Sequence, residues 1–180
     1  TSATQTLTNK TLTSPNISAP TITAPTINDA NSNELIKFTS IASAVNEITV
    51  SNNSTGNPVI VSATGGDTNI NMRLDAKGTG AIRVSKVAFS STEITANGAA
   101  SATTSYIICN KATALAVTLA NGTTIGESKI FTNKGVGIAT ITPASFAQGT
   151  TFALDQYDAA TLVWDGTNWY VSGHYGATIA

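Results

Sequence analysis

The chain has 180 residues, 41% of them apolar and only 11% charged, and a formal net charge of −1. A disordered chain is normally the reverse, rich in charge and poor in Val and Ile, so this one is expected to fold behind a surface of Thr, Ser, Asn and Gly. Its near-neutral charge offers little to displace counterions from a nucleic acid, and no apolar run approaches the roughly 18 residues that span a bilayer, so neither nucleic acid nor membrane is an expected partner.

The chain opens on a repeat. Between residues 6 and 30, Leu7, Leu12, Ile17, Ile22 and Ile27 recur every five positions, and Pro15, Pro20 and Pro25 recur with the same step. Proline removes a backbone donor and fixes φ, which excludes helix, and it pushes the preceding residue towards extended backbone. One apolar residue per pentad cannot form a core within one chain. Three extended chains around a common axis, each giving one Leu or Ile per layer, form one, so these five residues are the expected trimer axis or attachment arm of a segment 1–32; the alternative, a flexible Thr/Pro-rich linker, has no reason to keep an aliphatic residue at a fixed step. Fully extended, residues 6–30 would reach up to about 80 Å. No basic stretch followed by an apolar run marks a secretory signal, and a start at Thr1 reads as a small protein that has lost its initiator Met.

Residues 33–90 read as a small β-module. Short alternating runs at 33–38, 44–50, 57–63, 68–74 and 81–84 are expected strands, with one helical turn at most near 39–45. Asn53-Ser54-Thr55-Gly56-Asn57, Gly65-Gly66-Asp67 and Lys77-Gly78-Thr79-Gly80 supply the turns. In the fourth run Ile70, Met72 and Leu74 alternate with Asn71 and Arg73, which gives one dry and one wet face.

Residues 91–180 read as a compact β-sandwich or knob, with strands expected at 105–110, 116–119, 128–133, 137–142, 151–154, 160–164 and 169–173. Asn121-Gly122 is a turn signal, and Asp165-Gly166 makes a hairpin between Trp164 and Trp169.

Sites of chemistry are sparse. His174 is the only histidine and Cys109 the only cysteine, so no His or Cys set for zinc is available. Cys109 lies in the apolar run Tyr106-Ile107-Ile108-Cys109 and reads as a buried, inert thiol. No Gly-x-Ser-x-Gly elbow occurs, and Asp158 and Asp165 read as turn residues rather than a glycosidase pair. No enzyme activity, cofactor or metal is expected. Trp164, Trp169, Tyr170 and Tyr175 form an aromatic group expected either to hold a host surface glycan or to pack the core and an interface.

Three stretches resemble parts of bacteriophage virion appendages: the opening Gln5 to Pro15 resembles fibre shaft repeats, Gly65 to Leu74 with Lys77-Gly78-Thr79-Gly80 resembles a module of such appendages, and Leu162 to Val171 resembles the last hairpin of knob domains. The resemblance implies a homotrimer on the outside of a phage particle. The chain is short and begins with the repeat rather than with a virion-attachment domain. This favours a trimeric capsid decoration (cement) protein or head fibre bound to the major capsid protein over a tail fibre that recognises host glycans. Replacing Ile17 and Ile22 together with Asp is expected to abolish trimers in sedimentation velocity; a double variant that stays fully trimeric refutes the packed axis.

Overall fold

The computed structural model describes Thr8 and residues 25–180, so Leu7, Leu12, Ile17 and Ile22 lie outside the described residues. Every element among the described residues is a strand, so the chain is all-β. It divides into two units, Thr1–Ile82 and Arg83–Ala180.

In the first unit, β1 (Thr26–Asn28) pairs antiparallel with β2 (Glu34–Lys37), placing Ile27 opposite Ile36. Asp29 organises the turn: its Oδ1 accepts the backbone N–H groups of Asn31 and Asn33, both at 2.8 Å. These bonds, those from Asn33 foremost, hold its carboxyl below the usual carboxylate range. The last pentad residue, Ile27, is thus a hairpin residue, and the division expected after residue 32 falls within that hairpin.

A second ribbon pairs β3 (Asn46–Ser51) with β4 (Ile60–Gly65), antiparallel. Its register sorts the side chains by pleat. Ile48 faces Ala63 and Val50 faces Val61 on one side, while Glu47, Thr49, Ser62 and Thr64 share the other. On that polar side Thr64 Oγ1 donates to Glu47 at 3.0 Å and meets the Thr49 hydroxyl at 2.7 Å. Two expectations fail here. Residues 68–74 and 81–84 form no strand, and the bend near residues 39–45 is a turn at Ala42 and Ser43 rather than helical. Alternation reports a two-faced extended segment, but a strand also needs a neighbour for its backbone donors and acceptors.

The second unit has ten strands: β5 (Ser91–Ile94), β6 (Gly98–Ala99), β7 (Tyr106–Cys109), β8 (Leu115–Leu119), β9 (Ser128–Asn133), β10 (Ala139–Pro143), β11 (Phe152–Leu154), β12 (Ala159–Trp164), β13 (Trp169–Tyr175) and β14 (Thr178–Ile179). They form two five-stranded sheets, ordered β13-β12-β9-β7-β5 and β14-β11-β10-β8-β6. The order shows a coil: β5–β6, β7–β8 and β9–β10 each cross from one sheet to the other, and successive turns stack parallel. Thereafter β11 and β12 pair antiparallel to β10 and β9, and β14 and β13 complete the two sheets.

The core lies between the sheets. Ile107, Phe131, Ala160, Leu162 and Trp169 come from one sheet and Leu115, Val117, Ile141, Phe152 and Leu154 from the other, all buried. Phe131 meets Phe152 edge-on at 5.7 Å, joining the two sheets. Each large apolar side chain buried this way contributes about 1.5–3 kcal/mol.

Two polar side chains enter this interior, both fully engaged. Asn133 donates to the carbonyls of Gly137 (2.8 Å) and Leu154 (2.9 Å) and accepts from Gly135 N–H (3.0 Å). Lys129 donates to the carbonyls of Ser101, Ala102 and Thr104 at 3.0, 3.3 and 2.7 Å, with Glu127 3.8 Å away. Burial pulls its ammonium below the usual lysine range, and Glu127 partly offsets this. No buried side-chain nitrogen or oxygen among the described residues lacks a partner.

The corners of the coil also stack. Lys134 N–H donates to Cys109 O at 2.8 Å, and Gly137 N–H to Lys111 O at 3.0 Å. A Cβ at Gly137 would overlap the Thr113 carbonyl, so the backbones approach as only glycine allows. Gly137→Val is expected to lower stability by on the order of 3 kcal/mol, read as a lower urea midpoint; an unchanged midpoint would show that the corner can yield.

Candidate functional site

The residue pattern singles out a surface rather than a cleft. Between residues 25 and 90 no side chain is buried. Ile27, Leu35, Ile36 and Phe38 are exposed on or beside the first hairpin, and Ile48, Val50, Val59 and Val61 on or beside the second, with Val50 at 73%. Met72, Leu74, Ile82, Val84, Val87 and Phe89 continue this exposure along the strandless stretch. Isolated exposed apolar residues are ordinary, but a succession on paired strands marks an interaction surface. A lone two-stranded ribbon is also marginal in water.

Local chemistry explains why the ribbons form without a core. The Asp29 turn holds β1 to β2. In the second ribbon Asn57 N–H donates to Ser54 O at 3.1 Å across a turn with Gly56 at φ +87°. At the other end Gly66 N–H donates to Val45 O at 2.8 Å, and Asn46 Nδ2 donates to Asp67 at 2.7 Å. A groove of about 320 Å³ runs beside β3, lined by Ile48, Ala63, Ile70 and Met72 with Glu47 and Arg73 at its margin.

The aromatic group divides. Trp169 is fully buried, Trp164 is buried, and their rings lie 5.4 Å apart. Trp169 Nε1 donates to Ala120 O at 2.9 Å, which satisfies its polar end inside the core. A surface contact by Trp164 and Trp169 is thereby corrected: their alternation on β12 and β13 turns them inward, opposite each other in register. Tyr170 and Tyr175 are exposed, Tyr175 at 73%. Tyr175 and His174 line a shallow groove of about 190 Å³ with Gly173, Ala159, Ala160 and Thr161. Sequence reasoning passed over Tyr157, which is 74% exposed at φ +73°, with its N–H bonded to Asn133 O at 2.6 Å. Asp155 and Asp158, which flank Tyr157, were the available turn signal.

Asp158 and Asp165 are turn residues, as their sequence context indicates. Asp158 Oδ2 accepts Asp155 N–H at 3.0 Å. Asp165 Oδ1 accepts Asn168 N–H at 2.6 Å and Thr167 N–H at 2.7 Å, and these bonds hold its carboxyl below the usual range. Among the described residues no group of three His, Cys, Asp or Glu side chains converges to hold a metal, and no helix is long and apolar enough to cross a membrane. Neither the protein-family models nor the curated proteins include a match to this chain.

Cys109 is buried in the core, and desolvation pushes its thiol up to about 11. Iodoacetamide at pH 8 is therefore expected to leave the folded protein unmodified and to alkylate it fully in urea. Rapid labelling of the folded chain would show that the core opens at this strand.

Proposed function

We propose that the chain is a structural protein of a bacteriophage particle: a homotrimer that sits on the outer capsid surface as a decoration (cement) protein or short head fibre. The observation that carries this reading is the contrast between the two units. One surrounds a closed core, whereas the other exposes its apolar side chains on two paired ribbons and along the strandless stretch that follows, and so calls for further chains. The pentad repeat and the appendage-like motifs give those chains an identity: two further copies and the major capsid protein. The low-charge surface of Thr, Ser and Asn suits a β-protein of a virion exterior. In this role the protein works mechanically, holding neighbouring capsid subunits together; by mass action, whatever binds only the assembled shell stabilises it.

A second reading, a tail fibre that recognises host glycans, draws on the exposed Tyr157, Tyr170 and Tyr175 and on the groove beside His174. Tyrosine rings present both an apolar face and a hydroxyl, the surface a sugar needs.

Two measurements test the proposal. Sedimentation equilibrium is expected to give the mass of three 18.3 kDa chains, and immunogold microscopy of virions is expected to place the protein over the heads. A monomer would overturn the trimer. Gold confined to tails would overturn the decoration role in favour of the fibre.

A further inference from the structure

We propose that residues 68–90 are strand donors in trans, completing the β1–β2 and β3–β4 ribbons of a second copy of this chain. The inference deepens the homotrimer proposed above and rests on it.

The donor has a strand's side-chain pattern and no strand partner among the described residues. Ile70, Met72 and Leu74, then Ile82 and Val84, then Val87 and Phe89 alternate with other residues, yet no ladder includes them among the described residues. Among the described residues, the turn bond from Gly80 N–H to Lys77 O, at 3.1 Å, is the one backbone hydrogen bond between residues 68 and 89. About twenty consecutive residues thus find almost no backbone partner among the described residues while displaying apolar side chains. Pairing with another chain resolves both.

The acceptor is also present. Each ribbon has only two strands among the described residues, so its outer edges are open. The groove beside β3, about 320 Å³, lies between Ile48 and Ala63 of the ribbon and Ile70 and Met72 of the chain's own segment, so apolar side chains of the donor type already line the ribbon's apolar side.

Charge identifies the occupant. Residues 25–67 carry Asp29, Glu34, Glu47 and Asp67 against Lys37, a net −3; residues 68–90 carry Arg73, Lys77, Arg83 and Lys86 against Asp75, a net +3. Donor therefore attracts acceptor, while donor repels donor and acceptor repels acceptor. A surface made of two different, complementary patches associates head to tail, and a ring closes the series. Opposite charges across the contact also set its register.

Unlabelled and 15N-labelled protein, unfolded together and refolded as a 1:1 mixture, provides the test. A carbodiimide couples the carboxyl of Glu34 or Glu47 to the amine of Lys77 or Lys86, forming an amide while the reagent takes up the water as a urea. About half of the linked peptides are expected to join one labelled and one unlabelled chain, and the amides of residues 68–90 are expected to exchange hydrogen at least tenfold more slowly than an open chain. Trimers whose links all join chains of one label, trimers that give no such link, or trimers in which residues 68–90 exchange at open-chain rates would overturn strand donation and leave the trimer standing. A monomer in sedimentation would instead overturn the trimer itself, and the donor proposal with it.

Discussion

Parallel strands in successive coil turns keep their register only if the corners between them lie directly on one another. This constraint underlies the second unit. Glycine at Gly137 lets the corner 134–138 settle onto 110–114, and Asn133 ties that corner to itself and to β11. With the corners seated, Ile107 falls beside Phe131 and Val117 beside Ile141, so inward residues form continuous rows. A slip of one residue would turn each row outward. Lys129 does comparable work at another corner, gathering three carbonyls of residues 101–104 that no strand satisfies.

The two units therefore meet the same requirement differently. In the second, every strand finds neighbours along the chain, and the polar groups that enter the core bring their partners with them. In the first, two ribbons are shaped by turns rather than by packing. Asp29, Gly56 and the Asn46–Asp67 contact close their turns and ends, but their apolar side chains stay exposed. The same Thr- and Asn-rich composition serves both units, so what separates them is the presence or absence of a neighbouring layer.

Much of the second unit was legible in the sequence. The run 128–133 matches β9 in full, and the Trp164–Trp169 hairpin forms around Asp165 as its turn residues indicate. The short strands β5 and β6 were not foreseen, because Ser91-Thr92-Glu93-Ile94 and Gly98-Ala99 carry little apolar patterning. The coil was hidden too. Asn121-Gly122 reads only as a turn, which does not reveal that it lies in the crossover from β8 to β9, where Gly122 sits against the Trp164 ring. Inward and outward placement of Trp164 and Trp169 depends on strand register, which composition does not reveal. At residues 68–74 and 81–84 the pattern was legible, but a pattern does not name its partner.

The edges of the second unit carry a further consequence. One sheet ends in β6 and β14, each two residues long, and the other ends in the four-residue β5 and in β13, whose pairing with β12 is bulged at Thr161 and Leu162. Short or irregular margins make poor templates for a stranger's strand. The second unit therefore offers little along its rims for an added strand to pair with. Strand addition along these rims is disfavoured, so copies of this unit brought side by side would stay separate rather than fuse into a common sheet.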